Sequence, residues 1–235
     1  MYGYMPMYYF DPTYILILIG VLLSMGASAK LNATYGRYSS VASRCGMTGA
    51  QAAQRILQSQ GIYDVTVRHV SGRLTDHYDP RSKTVNLSDA VYGSTSIAAI
   101  GVAAHECGHA IQHNINYAPL NIRSAIVPVA NIGSSLSWPI FLLGLILSIP
   151  ALTTVGIVLF SLAVLFQLVT LPVEFNASSR ALKMLESTGI LSREENKGAK
   201  KVLTAAALTY VAALASSILQ LLRLIILSGG RRRDD

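Results

Sequence analysis

Residues 124–173 read SAIVPVANIGSSLSWPIFLLGLILSIPALTTVGIVLFSLAVLFQLVTLPV, and no side chain in the run is charged. A helix crosses a bilayer with about 20 apolar residues. The run is therefore too long for one helix, and Ser148, Ile149 and Pro150 supply the break between two. Working outward, residues 12–29 form an uncharged stretch just long enough to span, and residues 202–222 form another, rich in Ala and Leu. The reading is four membrane spans, with Arg223 near the end of the last one, placed to snorkel to the interface.

The composition agrees. Of 235 residues, 51% are hydrophobic and 13% charged, against about 25% charged in an ordinary soluble domain. Mean hydropathy is +0.43. A disordered chain and a disulfide scaffold are excluded, and a plain soluble enzyme fits poorly. Cys45 and Cys107 are too few for a disulfide framework. The net charge of +7 reads as a topology signal rather than a nucleic-acid footprint, so no nucleic-acid partner is expected. With four spans, the loops 30–123 and 174–201 share one side and carry 15 Lys and Arg, against 4 on the other side. That places the long loops in the cytoplasm. Tyr2, Tyr4, Tyr8 and Tyr9 suit an interfacial aromatic belt. Ala27-Ser28-Ala29 looks like a signal-peptidase site, but no Lys or Arg precedes it, so an uncleaved anchor is expected.

The segment 30–123 is the sizeable polar part. Thr48 and Gln51 form a capping box, and Ala50, Ala53, Ile56 and Leu57 share the face of the helix that follows, which Gly61 can end. Residues 65–70 alternate as a strand, with His69 structural or exposed. Asp79, Pro80, Arg81 and Ser82 make a turn, and residues 83–87 read as a second strand. Ser94 or Ser96 caps a helix that runs through Ile97, Ile100 and Ala104 to about His113.

That helix contains His105-Glu106-Cys107-Gly108-His109, an H-E-x-x-H pattern. Histidines at i and i+4 lie on one helix face and can reach one zinc ion, and the glutamate beside the first can act as general base on a zinc-bound water. With five His and five Glu in the chain, chance would supply such a pattern about 0.002 times. Cys107 points off the ligand face and reads as a packing residue.

Zinc in a catalytic site takes three protein ligands and keeps one position open. Gln112 and Ile115 stand where a metzincin has glycine and histidine, so that class is excluded. His113 remains a rival third ligand, although three ligands down one helix would span about 12 Å. Glu186, Glu194 and Glu195 sit in a solvated stretch and read as surface groups. Glu174 directly follows the third span. An acid at the membrane edge needs a partner, and the topology puts this one on the same side as His105 and His109.

Four stretches carry a family resemblance. They are Leu74-Thr75-Asp76-His77-Tyr78-Asp79-Pro80, Asn86-Leu87-Ser88, Ala103-Ala104-His105-Glu106-x-Gly108-His109-Ala110-Ile111-Gln112 and Pro172-Val173-Glu174-Phe175-x-Ala177-Ser178. Together they resemble the neutral zinc metallopeptidases of the YugP type, bacterial membrane proteins with a gluzincin-like motif. The match runs from about Met47 to the last span. It implies Zn2+ as cofactor, His105, His109 and Glu174 as metal ligands and Glu106 as catalytic base. The last stretch is also similar to the HtpX type of membrane peptidase, which commonly has an aspartate four residues after the ligand glutamate. This chain has Ser178 there, which alters what surrounds the ligands rather than the ligand set.

The expected fold is a mainly α membrane protein of about four transmembrane helices with a small α+β zincin-like catalytic region around an HExxH helix. The expected division is a tail and first anchor at 1–29, the catalytic region at 30–123, two spans at 124–173, a third-ligand helix and polar loop at 174–201, and the last span with a basic tail at 202–235. The expected function is a zinc-dependent endopeptidase of the bacterial plasma membrane. It would be multi-pass, with its active site facing the cytoplasm, and would hydrolyse membrane or membrane-proximal proteins. Candidates for a second oxyanion donor are His77, Tyr78, His113 and Arg180. The 83–87 strand could pair with an extended substrate. The alternatives are an intramembrane metalloprotease, a metal transporter and a non-enzymatic membrane protein. The intramembrane reading needs the motif inside a span, yet only about eleven mostly apolar residues precede His105, too few to cross. Ala205, Thr209, Ala213 and Ser217 form a small-residue stripe on the last span, expected to pack against another span of the chain.

Overall fold

Pro150 begins a helix where the uncharged run was expected to break. In the computed structural model, which describes residues 11–230, the preceding helix ends at Ile146, and Ser148 adopts φ 55 in the turn between them. The elements in chain order are α1 Tyr14–Ser39, α2 Gly49–Ser59, β1 Thr66–His69, β2 His77–Asp79, β3 Thr84–Leu87, α3 Ile97–Asn114, α4 Ala118–Ile146, α5 Pro150–Ser187 and α6 Arg193–Gly230. Among the described residues, α1, α4, α5 and α6 are long and apolar enough to cross a membrane. The amino-terminal tyrosines and the Arg231–Arg233 cluster lie outside the described residues.

α4 and α5 form a hairpin. A Cβ on Gly144 would lie 2.5 Å from the Thr153 nitrogen, and one on Gly156 would lie 2.7 Å from Phe141 Cβ. Glycine at these crossings lets two apolar helices pack closely where no hydrophobic effect drives them together. α1 and α6 run antiparallel. The Ser216 hydroxyl donates to the Gly20 carbonyl at 2.8 Å and lies 3.0 Å from Ser24 Oγ. Ser217, on the small-residue stripe, accepts from Gln167 of α5 at 2.9 Å, so at this point the stripe meets a span of the same chain.

Arg223 reaches the level of Asp11 and Thr13, just ahead of the apolar run of α1. It turns inward and is 8% exposed. Its Nε donates to Thr13 Oγ1 at 3.2 Å, Nη2 lies 3.6 Å from Asp11, and the guanidinium stands 4.7 Å over the Tyr14 ring. An acid just ahead of the neighbouring helix and a ring face in its first turn hold the guanidinium there.

The membrane helices also reach beyond their apolar runs. α5 has 38 residues, about 57 Å at the α-helical rise, against about 30 Å of hydrocarbon. Its last turns therefore stand outside the bilayer. α1 likewise continues unbroken through Ala27-Ser28-Ala29 to Ser39. The segment 174–201 is helical except for a short turn at 188–192, because α5 runs on to Ser187 and α6 already begins at Arg193.

The polar region packs on these extensions. α2 carries the expected capping box: Gln51 N–H donates to Thr48 Oγ1 at 3.2 Å and Thr48 N–H to Gln51 Oε1 at 2.9 Å. Gly61, at φ 69, lets the chain leave the helix in the left-handed region. Ala52, Ala53, Ile56 and Leu57 join Val85, Leu87, Ile100 and Cys107 in one core. Cys107 is therefore a packing residue, with burial pushing its thiol pKa up. His69 is exposed and pairs with Asp89 at 2.6 Å. Both expected strands form. β2 adds a third, and the sheet order is β1-β3-β2, parallel then antiparallel. Because β3 lies in the middle, with ladder partners on both sides, the 83–87 strand has no free edge for an extended substrate.

Candidate metal centre

Ser96 caps α3 through Ala99 N–H, at 3.2 Å, and the helix carries His105, Glu106 and His109 into the junction between the polar core and the extension of α5. Glu174 stands on that extension, two residues past Pro172. The ligating atoms of His105, His109 and Glu174 all lie within 4.8 Å of one another. Glu174 Oε2 is 3.3 Å from His105 Nε2 and 3.6 Å from His109 Nε2. That oxygen is buried and has no hydrogen-bond partner. Burying a carboxylate oxygen without a partner is costly, and a cation held by all three groups would satisfy it. Two imidazoles and a carboxylate form a donor set that suits zinc, so the residues present fit the metal.

Each histidine is held from behind. His109 Nδ1 lies 3.0 Å from Gln112 Oε1, and His105 Nδ1 lies 3.1 Å from Ser178 Oγ. An N–H on Nδ1 leaves the Nε2 lone pair free, which is the tautomer a metal needs. Gln112 is fully buried. Its Nε2 donates to the Val173 carbonyl at 2.8 Å and to Asn176 Oδ1 at 3.0 Å, tying α3 to α5 on either side of Glu174. The second Glu174 oxygen lies 3.7 Å from Arg123 Nη1, at the start of α4.

Gly108 permits the approach of the two helices. A Cβ there would fall 2.5 Å from the Ala177 carbonyl oxygen, so any side chain would push α5 away from the histidines.

Glu106 is 8% exposed and lines a cavity of about 180 Å³ with His105, Glu174 and Tyr210. Leu74 and Asp76, which lead into β2, close one side. Asp76 is fixed by Ser88, whose N–H and hydroxyl donate to its two oxygens at 2.7 and 2.9 Å. Leu31 and Tyr35 of α1 and Val202 to Tyr210 of α6 complete the wall.

The structure does not bring the other sequence candidates into this cavity. His113 Nδ1 pairs with the Tyr78 hydroxyl at 2.8 Å, against the sheet. His77 lies between the Thr75 carbonyl and Asn86 Nδ2. Arg180 Nε donates to Asn176 Oδ1 at 2.7 Å. Glu194 pairs with Lys197 and Glu195 accepts from the backbone of Arg44 and Ser192, surface roles as expected. The sequence reading missed Gln112, Arg123 and Tyr210 as parts of the site. Tyr210 lies in an apolar span where tyrosine is unremarkable, so nothing in the sequence marks it.

The fold and the site thus define a helical membrane protein with a His-His-Glu cluster built between a soluble helix and the extension of a span. Residues 13–229 match the family described as "Putative neutral zinc metallopeptidase", and the chain belongs to that family, whose metal is Zn2+. It is similar to "Putative membrane protease YugP" of Bacillus subtilis (strain 168), with 49% identity over 215 residues, covering 91% of this chain and 96% of that protein. No solved structure matches it.

Proposed function

We propose that the protein is an endopeptidase that hydrolyses peptide bonds of membrane or membrane-proximal proteins, with His105, His109 and Glu174 holding the metal and Glu106 as general base. The observation that carries this reading is the buried, unpartnered Glu174 Oε2 between two Nε2 atoms. Zinc bound there supplies a Lewis acid that polarises a carbonyl and makes water acidic near neutral pH. Glu106 takes the proton from the attacking water and passes it to the leaving amine. Ser178 and Gln112 hold the imidazoles in the right tautomer, and Arg123 holds the far oxygen of Glu174. Tyr210, on the cavity wall, donates to the carbonyl oxygen as negative charge develops on it. The cavity is walled by Glu174 just past the apolar run of α5, by Leu31 and Tyr35 just past that of α1, and by residues 202–210 in the first half of the apolar run of α6, which favours substrates presented at the membrane surface. The charge distribution of the long loops favours a multi-pass plasma-membrane protein with this site in the cytoplasm.

α3 bears on the intramembrane alternative. Its buried faces meet α2, the sheet and the polar end of α5 rather than lipid. A transporter or adaptor has no chemical need for Glu106 beside the cluster.

The test is zinc content and cleavage of an unfolded protein substrate by wild type, Glu174→Ala and Glu106→Gln in mild detergent. The expected result is about one zinc in wild type and Glu106→Gln, loss of metal in Glu174→Ala, and a kcat about 10²–10⁴-fold lower in Glu106→Gln. Wild-type cleavage by Glu106→Gln, or full zinc retention by Glu174→Ala, would overturn it.

A further inference from the structure

Lys30 is the first charged residue after the apolar run of α1, and Lys201 is the last before the apolar run of α6. Because the two helices are antiparallel neighbours, both residues mark one depth, the edge of the hydrocarbon. Just outside that edge the helices part into an open groove of about 660 Å³. Lys30 and Arg37 line it from α1, and Lys197, Lys200 and Lys201 line it from α6. No carboxylate lines the groove. Lys197 pairs with Glu194 at 2.6 Å. Lys30, Arg37, Lys200 and Lys201 have no ion-pair partner among the described residues.

Converging like charges repel, and here the protein provides almost no counter-charge. A purely solvated basic face would be convex and would spread its ammonium groups into water. This one is concave. Between the cations lie Thr34 and Thr204, which offer hydroxyl donors, and Ala33 and Ala205, which leave room. On the membrane side of Lys30, α1 carries exposed apolar side chains, Leu22, Leu23 and Met25 among them.

We propose that the groove between α1 and α6 binds the phosphate headgroup of an anionic phospholipid, with its acyl chains lying along α1. Basic pockets between membrane helices suit such headgroups, and the groove's position at the hydrocarbon edge favours a lipid over a free anion. The same two helices wall the catalytic cavity through Leu31, Tyr35 and residues 202–210. A lipid seated here bridges α1 to α6 on the side away from the metal cluster. The inference does not depend on the peptidase reading.

The experiment is native mass spectrometry of the delipidated full chain in detergent, titrated with phosphatidylglycerol, phosphatidylcholine and free glycerol phosphate. Each cation near an anionic lipid contributes about fivefold in affinity. Wild type is expected to bind phosphatidylglycerol more than about tenfold tighter than phosphatidylcholine. Replacing Lys30, Lys200 and Lys201 together by Gln is expected to abolish that preference, with helical circular dichroism and zinc content unchanged. A control variant losing Arg55, Arg68 and Arg81, equal in charge but on the polar region rather than on α1 or α6, is expected to keep it. Should the triple variant fail to fold, Lys200→Gln and Lys200→Arg replace it, with the preference reduced in the first and retained in the second. Equal binding of the two lipids, loss of preference in the control, or an undiminished preference in the groove variants would overturn the proposal. Glycerol phosphate binding as tightly as phosphatidylglycerol would overturn the lipid as the source of the phosphate.

Discussion

His105 Nδ1 lies 3.1 Å from the hydroxyl oxygen of Ser178, one helical turn beyond Glu174. The two residues stand on different helices, and their contact fixes the ring whose other nitrogen faces Glu174. The HtpX-type pattern has an aspartate at this position. Here a neutral hydroxyl does the positioning in place of a carboxylate.

Ser178→Ala therefore frees the His105 ring without touching any of the three proposed metal donors. Zinc affinity, measured against a chelator of known strength, is expected to fall about 10–100-fold. Ser178→Asp is expected to restore or exceed wild-type affinity. Unchanged affinity in Ser178→Ala would remove the residue from the site.

Gly108→Ala places a Cβ 2.5 Å from the Ala177 carbonyl. Overpacking of this kind costs about 1–3 kcal/mol, and the strain relaxes by separating α3 from α5, which widens the gap between the histidines and Glu174. Weaker zinc binding and lower activity are expected, with helix content retained. Gly36→Ala, where a Cβ meets nothing within 4 Å, is the matched control and should leave zinc affinity at the wild-type value.

Tyr210→Phe removes a phenolic O–H from the cavity that Glu106 and Glu174 line. If that hydroxyl meets the developing oxyanion, kcat falls about 10²–10³-fold, while zinc content and KM stay near wild type. A kcat equal to that of wild type would dismiss the role.

Burial, with Asp64 and Asp79 nearby, pushes the Tyr78 phenol from 10.0 up to about 12. Above pH 10 the unfolded chain releases this proton while the folded chain keeps it. The unfolded state then binds fewer protons, and stability falls as pH rises towards 12. Tyr78→Phe is expected to flatten that part of the Tm-against-pH curve. An identical slope in the variant would mean that other groups carry the alkaline loss.

The spans, the Thr48–Gln51 capping box, the strands β1 and β3, the 79–82 turn and the H-E-x-x-H helix were all legible in the sequence. Each is a local pattern: uncharged length, apolar periodicity, a cap, or two histidines four apart on one helix face. The Ser148–Pro150 break was local in the same way.

What the sequence could not decide were relations between distant segments. Glu174 was legible as a candidate from its place after a span. Its meeting with His105 and His109 depends on how far α5 extends beyond the bilayer and on how closely Gly108 lets it approach α3. Arg123 and Tyr210 carry no mark in sequence because their roles arise only from what they face, and Gln112, though it closes the motif stretch, shows its role only by what it bonds across to α5. Arg223 was legible as a cation at a span end, but its partners Asp11, Thr13 and Tyr14 were not. The 83–87 strand looked available until β2 and β1 took both its edges. Local free energies set the helices and their caps, whereas side-chain neighbours more than sixty residues apart are chosen only when the helices pack, and that packing builds the site.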